Sequence, residues 1–270
     1  MSATILRTDD GPVRILTISN AIKRNAFSGD MAPTLRKEFT DADHDPSVRC
    51  IIVTGGQDIF SSGHDLQEVL HSPETAGDPE ANAAFTIPAE LGTPVIAAVN
   101  GAAYAAGFIL ALNCDLRIAG HNAKFCAVGA RIGLVPVGGQ LSRLLDVVTY
   151  PVAFKMLATA SPVSAAAALE TGFVSEVCDP ADTLDRALAL AHQIAEVSPS
   201  VVRAIKTGLR VTLHEGLAAG NTLEPQLAAV VRGLPDGDEG VQSFLEKRPP
   251  RYPDAPADLQ DKLDKAGANR

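Results

Sequence analysis

His64 stands in the run Phe60-Ser61-Ser62-Gly63-His64-Asp65-Leu66, and an imidazole titrates near neutrality, so it can serve either end of a proton transfer. It can equally only pack or hydrogen-bond beside a pocket. Asp65 is a short carboxylate in a loop, better suited to accepting backbone N–H bonds than to acting as a base. A second feature carries no reactive side chain. Ala102-Ala103-Tyr104-Ala105-Ala106-Gly107 opens a helix expected to run through Phe108 to Leu112, and a helix N-terminus offers unpaired amides at the positive end of its dipole. Lys23-Arg24 and Lys247-Arg248 would suit phosphates, although in isolation such pairs read as ordinary solvated charge. The cysteines at 50, 114, 126 and 178 show neither a CxxC pair nor Cys/His ligand spacing, so no metal is expected and free buried thiols are.

Positioning these groups requires alternating strands and helices. Val13 to Ile18 alternates apolar residues and reads as a strand, paired as a hairpin with Thr4 to Arg7 across Asp9-Asp10-Gly11-Pro12. Ser28 reads as an N-cap, with Met31, Leu35 and Phe39 at helical spacing behind it. Cys50 to Thr54 and Pro94 to Val99 are short apolar runs, as expected of buried strands, the first covered on both faces, and Asp115 to Ala119 reads as another strand. Ser72 to Ala84 reads as a connection, and the helix Ala81 to Leu91 is expected to line an apolar pocket with it. From Gly138 onward the pattern is helical: Leu141 to Val147, Pro151 to Ala160, Ser164 to Thr171, Thr183 to Val197, Pro199 to Glu215 and Leu223 to Val231, with one strand at Val174 to Val177. This order predicts an α/β fold with a parallel sheet, whose ligand lies near strand ends and helix N-termini.

Composition narrows the partners. The 270 residues are 46% apolar, enough for a real core, and 32 acidic against 23 basic residues give a net charge of −9, which disfavours nucleic acid and anionic membranes as the main partner. No apolar run approaches the roughly 20 residues a bilayer needs, and the first fourteen residues lack a signal-peptide core. A cytoplasmic protein is expected.

Four separated segments together resemble the crotonase, or enoyl-CoA hydratase/isomerase, superfamily. They are Lys23-Arg24-Asn25-Ala26, Phe60 to Leu66, Pro94 to Gly101 continuing to Asn113-Cys114-Asp115, and Glu239-Gly240-Val241 through Phe244-Leu245-Glu246-Lys247-Arg248. The resemblance implies a crotonase-like spiral of ββα units over residues 1–198 with the acyl-CoA site. It also implies a helical C-terminal trimerisation region over 199–256, giving a homotrimer or a dimer of trimers. Residues 257–270 are expected as a flexible tail. The implied substrate is an acyl-CoA thioester, with coenzyme A as part of it and no covalently bound cofactor. The implied oxyanion hole is formed by the backbone amides of His64 and Ala106, so the small residues at 105–107 would let the thioester lie against the main chain. Coenzyme contacts carry over to Arg24, Ala26, Ser62, His64, Asp65 and Leu66, and to Phe244 and Lys247 from an adjacent region or subunit.

The sequence departs from the hydratase pattern at the chemistry. The two glutamates that hydratases of the family use fall at Ile109 and Gly129, and Cys126 to Val137 contains no Asp or Glu. Three readings stay open. One is another thioester reaction, such as isomerisation, decarboxylation or hydrolysis, with His64, Asp146 or a loop residue moving the proton. The Gly-His-Asp run and Ala158 to Ala165 resemble methylmalonyl-CoA decarboxylases, but their active-site tyrosine has no match near Val135 to Val137, and Tyr104 is the nearest substitute. The second reading is a non-catalytic acyl-CoA binder, and the third a weak hydratase.

Overall fold

In the computed structural model the described residues are 3–56, 58–71 and 79–268. β1 (Thr4–Asp10) and β2 (Val13–Ser19) form the expected hairpin, with Asp10 opposite Val13 and Gly11 at φ +57° in the turn. After β3 (Ala26–Phe27) and α1 (Met31–His44) the chain returns through β4 (Cys50–Thr54). The next turn is β5 (Gly63–His64), α2 (Leu66–His71) and α3 (Pro79–Thr86), leading to β6 (Val95–Val99). Then come β7 (Ala102–Tyr104), α4 (Ala106–Asn113), β8 (Leu116–Gly120) and β9 (Lys124–Cys126). The core closes with α5 (Leu144–Val147), α6 (Tyr150–Thr159), β10 (Val163–Ser164), α7 (Ala165–Glu170) and β11 (Glu176–Cys178).

Long and short strands sort into separate sheets. The long ones build a six-stranded sheet in the order β1-β2-β4-β6-β8-β11, parallel after the first pair. Every residue of β4 and β6 is buried, because both faces are covered. Ile51, Val53, Val95 and Ala97 face the main core, while Cys50, Ile52, Ile96 and Ala98 pack on Ala187 and Ala191 of α8 (Thr183–Ala195). The short strands lie alongside one another instead: β3 pairs β5, a parallel bridge joins Ser61 to Ala103, and β7 pairs β9, which pairs β10. Each turn of the chain thus adds one long strand, one short strand and a helix. This is the α/β spiral expected from the sequence.

Helices complete the C-terminal part. Ser198 caps α9 (Pro199–Glu215) by accepting the Val201 N–H, α9 packs with α10 (Leu217–Arg232) and α12 (Leu259–Ala268), and α11 (Pro235–Glu246) packs with α10. Two ion pairs tie α9 to the rest of the fold, one to α1 and one to the residue before β8. Arg203 lies 3.2 Å from Asp43 and donates to Thr93 Oγ1 at 2.7 Å, and Lys206 lies 2.7 Å from Asp115.

Several expectations are corrected here. The flexible tail expected over 257–270 is, up to residue 268, largely the helix α12, because Leu259 and Leu263 at i,i+4 are buried against Leu223 and Leu227. Leu263→Ala should therefore cost about 2–5 kcal/mol in denaturant unfolding, where a free tail would show no change. α11 was not expected. The helix expected at 141–147 starts only at Leu144, since Gly138 and Gly139 hold positive φ in the turns before it. Asp30 rather than Ser28 occupies the N-cap of α1. The connection expected at 72–84 lies outside the described residues as far as residue 78.

Candidate active site

Two backbone segments are forced together where the short-strand layer meets α4. Tyr104 N–H donates to Ser61 O and Ser61 N–H to Ala102 O, both at 2.9 Å, so the two stretches run side by side. Glycines let them touch. A Cβ on Gly63, whose φ is +103°, would sit 2.6 Å from Ala105 Cβ and 3.2 Å from Ala106 N, and one on Gly107 would sit 2.7 Å from Ser61 O. Ala105 holds φ 48° and ψ −116° just before the helix, a costly conformation for a residue with a Cβ. Ala106 N–H, in the first turn, lacks the partner a preceding helical turn would supply. Asp65 N–H donates to Phe27 O, and successive N–H groups of an extended chain point to opposite sides, so that of His64 faces away from β3.

The segment before β5 is held from behind by Asn25. Its Nδ2 donates to Gly55 O at 2.7 Å and Ile59 O at 2.9 Å, and its Oδ1 accepts the Asn20 N–H at 2.8 Å. Ser61 Oγ donates to Asn25 O at 2.8 Å and accepts the Gly63 N–H at 3.1 Å. The motif Lys23 to Ala26 therefore works chiefly as a clamp, with Arg24 and Asn25 both at positive φ.

A cavity of about 280 Å³ lies over this junction, and Ser62, His64, Leu66, Ala106, Ile109 and Gly129 all line it. Six positions singled out in the sequence thus meet in one space. Among the described residues none that lines it is Asp or Glu, and the wall is apolar at Ile132, Leu134, Val135, Pro136 and Val137. Asn82, Gln140 and Arg131 also line it and were not found from sequence; a lone Asn, Gln or Arg in an unaligned turn carries no signal.

His64 packs edge-on against Phe85, with ring centroids 5.2 Å apart, and its Nε2 lies 3.4 Å from Asn82 Oδ1. Burial pushes the imidazole pKa below its ordinary value, opposed in part by Asn82 and Glu68. Asp65 is committed to structure: it accepts the Gln67 N–H at 3.0 Å and pairs with Lys23, which first among several causes holds its carboxyl below the usual range. Ala26 is buried in β3, and Arg24 is exposed.

Other expected participants lie elsewhere. Phe244, 83% exposed, and Lys247 belong to the α11 end and do not line the cavity within this chain. Asp146 lines a different cavity, against Arg143 and Lys206. Tyr104 is not among the residues lining the His64 cavity. Among the described residues no group of three or more His, Cys, Asp or Glu could hold a metal ion, and no helix is long and apolar enough to cross a membrane.

The family model described as "Enoyl-CoA hydratase/isomerase" matches residues 9–255. The chain is 34% identical over 242 residues to a 2,3-dehydroadipyl-CoA hydratase of Escherichia coli (strain K12), covering 89% of this chain and 94% of that protein. It is 32% identical over 259 residues to a carnitinyl-CoA dehydratase of Salmonella agona (strain SL483), covering 93% and 98%. Among solved structures it resembles an enoyl-CoA hydratase from Polaromonas sp. JS666 with a TM-score of 0.87 at 30% identity, covering 93% of this chain and 100% of that one.

Proposed function

The chain belongs to the enoyl-CoA hydratase/isomerase family, and from that premise we propose that it binds an acyl-CoA thioester and stabilises the thioester enolate without classical hydratase chemistry. The observation that carries this reading is the convergence of His64 and Ala106 on one cavity that, among the described residues, no carboxylate lines. A thioester carbonyl gains negative charge when a carbanion forms beside it. Two fixed amides, one at a helix N-terminus, are the donors such an oxygen requires, and each is worth about 3 to 4 kcal/mol.

The relatives named above as a hydratase and a dehydratase act on CoA thioesters, which supports the substrate class. The apolar wall at Ile132, Leu134 and Val135 suits an acyl tail. Phe244 and Lys247, exposed on α11, are left to serve a neighbouring subunit's coenzyme in a trimer or hexamer.

Saturating butyryl-CoA should raise the melting temperature, since a ligand that binds only the native state stabilises it by about 2.7 kcal/mol at 100 times its Kd. Coenzyme A alone should shift it less. An unchanged transition with acetyl-, butyryl- and crotonyl-CoA would refute thioester binding. A panel of enoyl-, acyl- and malonyl-type thioesters followed by mass spectrometry would then separate an enzyme from a binder.

A further inference from the structure

We propose that His64, held by Asn82, is the proton-transfer group of this site, exchanging protons between the thioester α-carbon and a second, polar cavity behind it. This rests on the thioester reading above. His64 lines the cavity of about 280 Å³ and also one of about 450 Å³ lined by Arg36, Glu68, His71 and Glu80. Among the described residues it is the only one common to both, which places it between them.

The chemistry of the two walls differs. On the thioester side the charged or titratable residues are His64 and Arg131, and a guanidinium does not accept a proton near neutrality. Among the described residues His64 is thus the one base there. On the far side, Glu68 and His71 of α2, Arg36 of α1 and Glu80 of α3 line the cavity that His64 borders. Arg36 and Glu80 pair at 2.8 Å, and Glu68 accepts the Gly29 N–H at 3.1 Å. These groups and water can carry a proton onward.

Asn82 is a positioning residue. Its Oδ1 lies 3.4 Å from Nε2, and because an amide oxygen only accepts, the proposed step takes the tautomer with the proton on Nε2 and the lone pair on Nδ1. In the step, the thioester α-C–H bond breaks and its proton passes to Nδ1. The bonding pair moves into the enolate, leaving the charge on the carbonyl oxygen. Reprotonation from the imidazolium reverses it. No other reactant is consumed.

The step is read by following deuterium uptake at the α-carbon of butyryl-CoA in D2O by mass spectrometry, with melting shifts measured in parallel. The full-length protein should catalyse exchange with a pH midpoint below 6.5, the ordinary histidine value. His64→Gln should exchange at least about 100-fold more slowly while butyryl-CoA still raises its melting temperature. Asn82→Asp should move the midpoint to higher pH, because a carboxylate favours the imidazolium, and Asn82→Ala should slow exchange. Binding by the unaltered protein with no exchange above background would overturn the proposal alone, as would His64→Gln exchanging at the unaltered rate. Loss of both binding and exchange in the unaltered protein would overturn the thioester reading as well.

Discussion

Crotonyl-CoA should be hydrated by this protein at least about 10⁴-fold more slowly than by hydratases that carry both glutamates, because each acid or base removed costs roughly two to four decades. The cavity holds Ile109 and Gly129 where the resemblance places those carboxylates, and among the described residues its wall contains none. Reinstalling one is not a simple exchange. A Cβ at Gly129 would lie 2.7 Å from Leu134 O, so any side chain there must open the turn closed by Leu134 N–H to Gly129 O. Ile109 is buried and lies where a Cβ on Gly138 would be 2.6 Å from its Cγ2, so Ile109→Glu would place a carboxyl in a dry site that favours its neutral form. Ile109→Glu alone should leave hydration near background. A steady-state assay following loss of the enoyl absorbance decides this, and turnover at ordinary family rates would refute the assignment of Ile109 and Gly129.

Gly63→Ala should abolish the response to thioesters. A methyl group there meets Ala105 Cβ at 2.6 Å and sits on a backbone at φ +103°, so β5 and the start of α4 must separate. Losing one donor to a developing oxyanion costs about 10² to 10³ in rate, and separation removes the alignment of both. Gly56→Ala is the matched control. Its φ is +83°, and a Cβ there meets nothing within 4 Å, so it carries backbone strain without disturbing the junction. Thioester-induced melting shifts should vanish in Gly63→Ala and persist in Gly56→Ala, with equal shifts in both variants counting against the junction as the binding element.

Legibility followed length and periodicity. β4, β6 and β8 were readable because doubly covered strands are apolar runs, and α9 matched its expected limits because Ser198-Pro199 starts it and Gly216 ends it. The short strands β3, β5, β7 and β9 span two or three residues, below any periodicity, yet they carry the site. α11 was hidden by Pro235, Gly237 and Gly240 and by an apolar side, Val241, Phe244 and Leu245, that faces away from this chain's core. At the site, His64 and Ala106 were legible through their motifs. Asn82 was not, since nothing in a single asparagine marks its proximity to an imidazole 18 residues earlier.

Arg117 lies at the opposite end of the helix that begins at Ala106. Buried, it donates to Ala111 O at 3.2 Å, to Cys114 O at 2.6 Å and to Phe173 O. Burial brings its pKa down to about 10, so it remains a cation at neutral pH. A helix of eight residues spans about 12 Å, and a full positive charge at its carbonyl end cancels the negative pole there. What reaches the cavity is then the potential of a net charge, which falls with distance, rather than that of a dipole, which falls with its square. At an effective dielectric of about 20, that distant cation lowers the energy of an anion at Ala106 by on the order of 1 kcal/mol. An anion at the Ala106 amide would therefore owe part of its stability to a side chain at the far end of the helix.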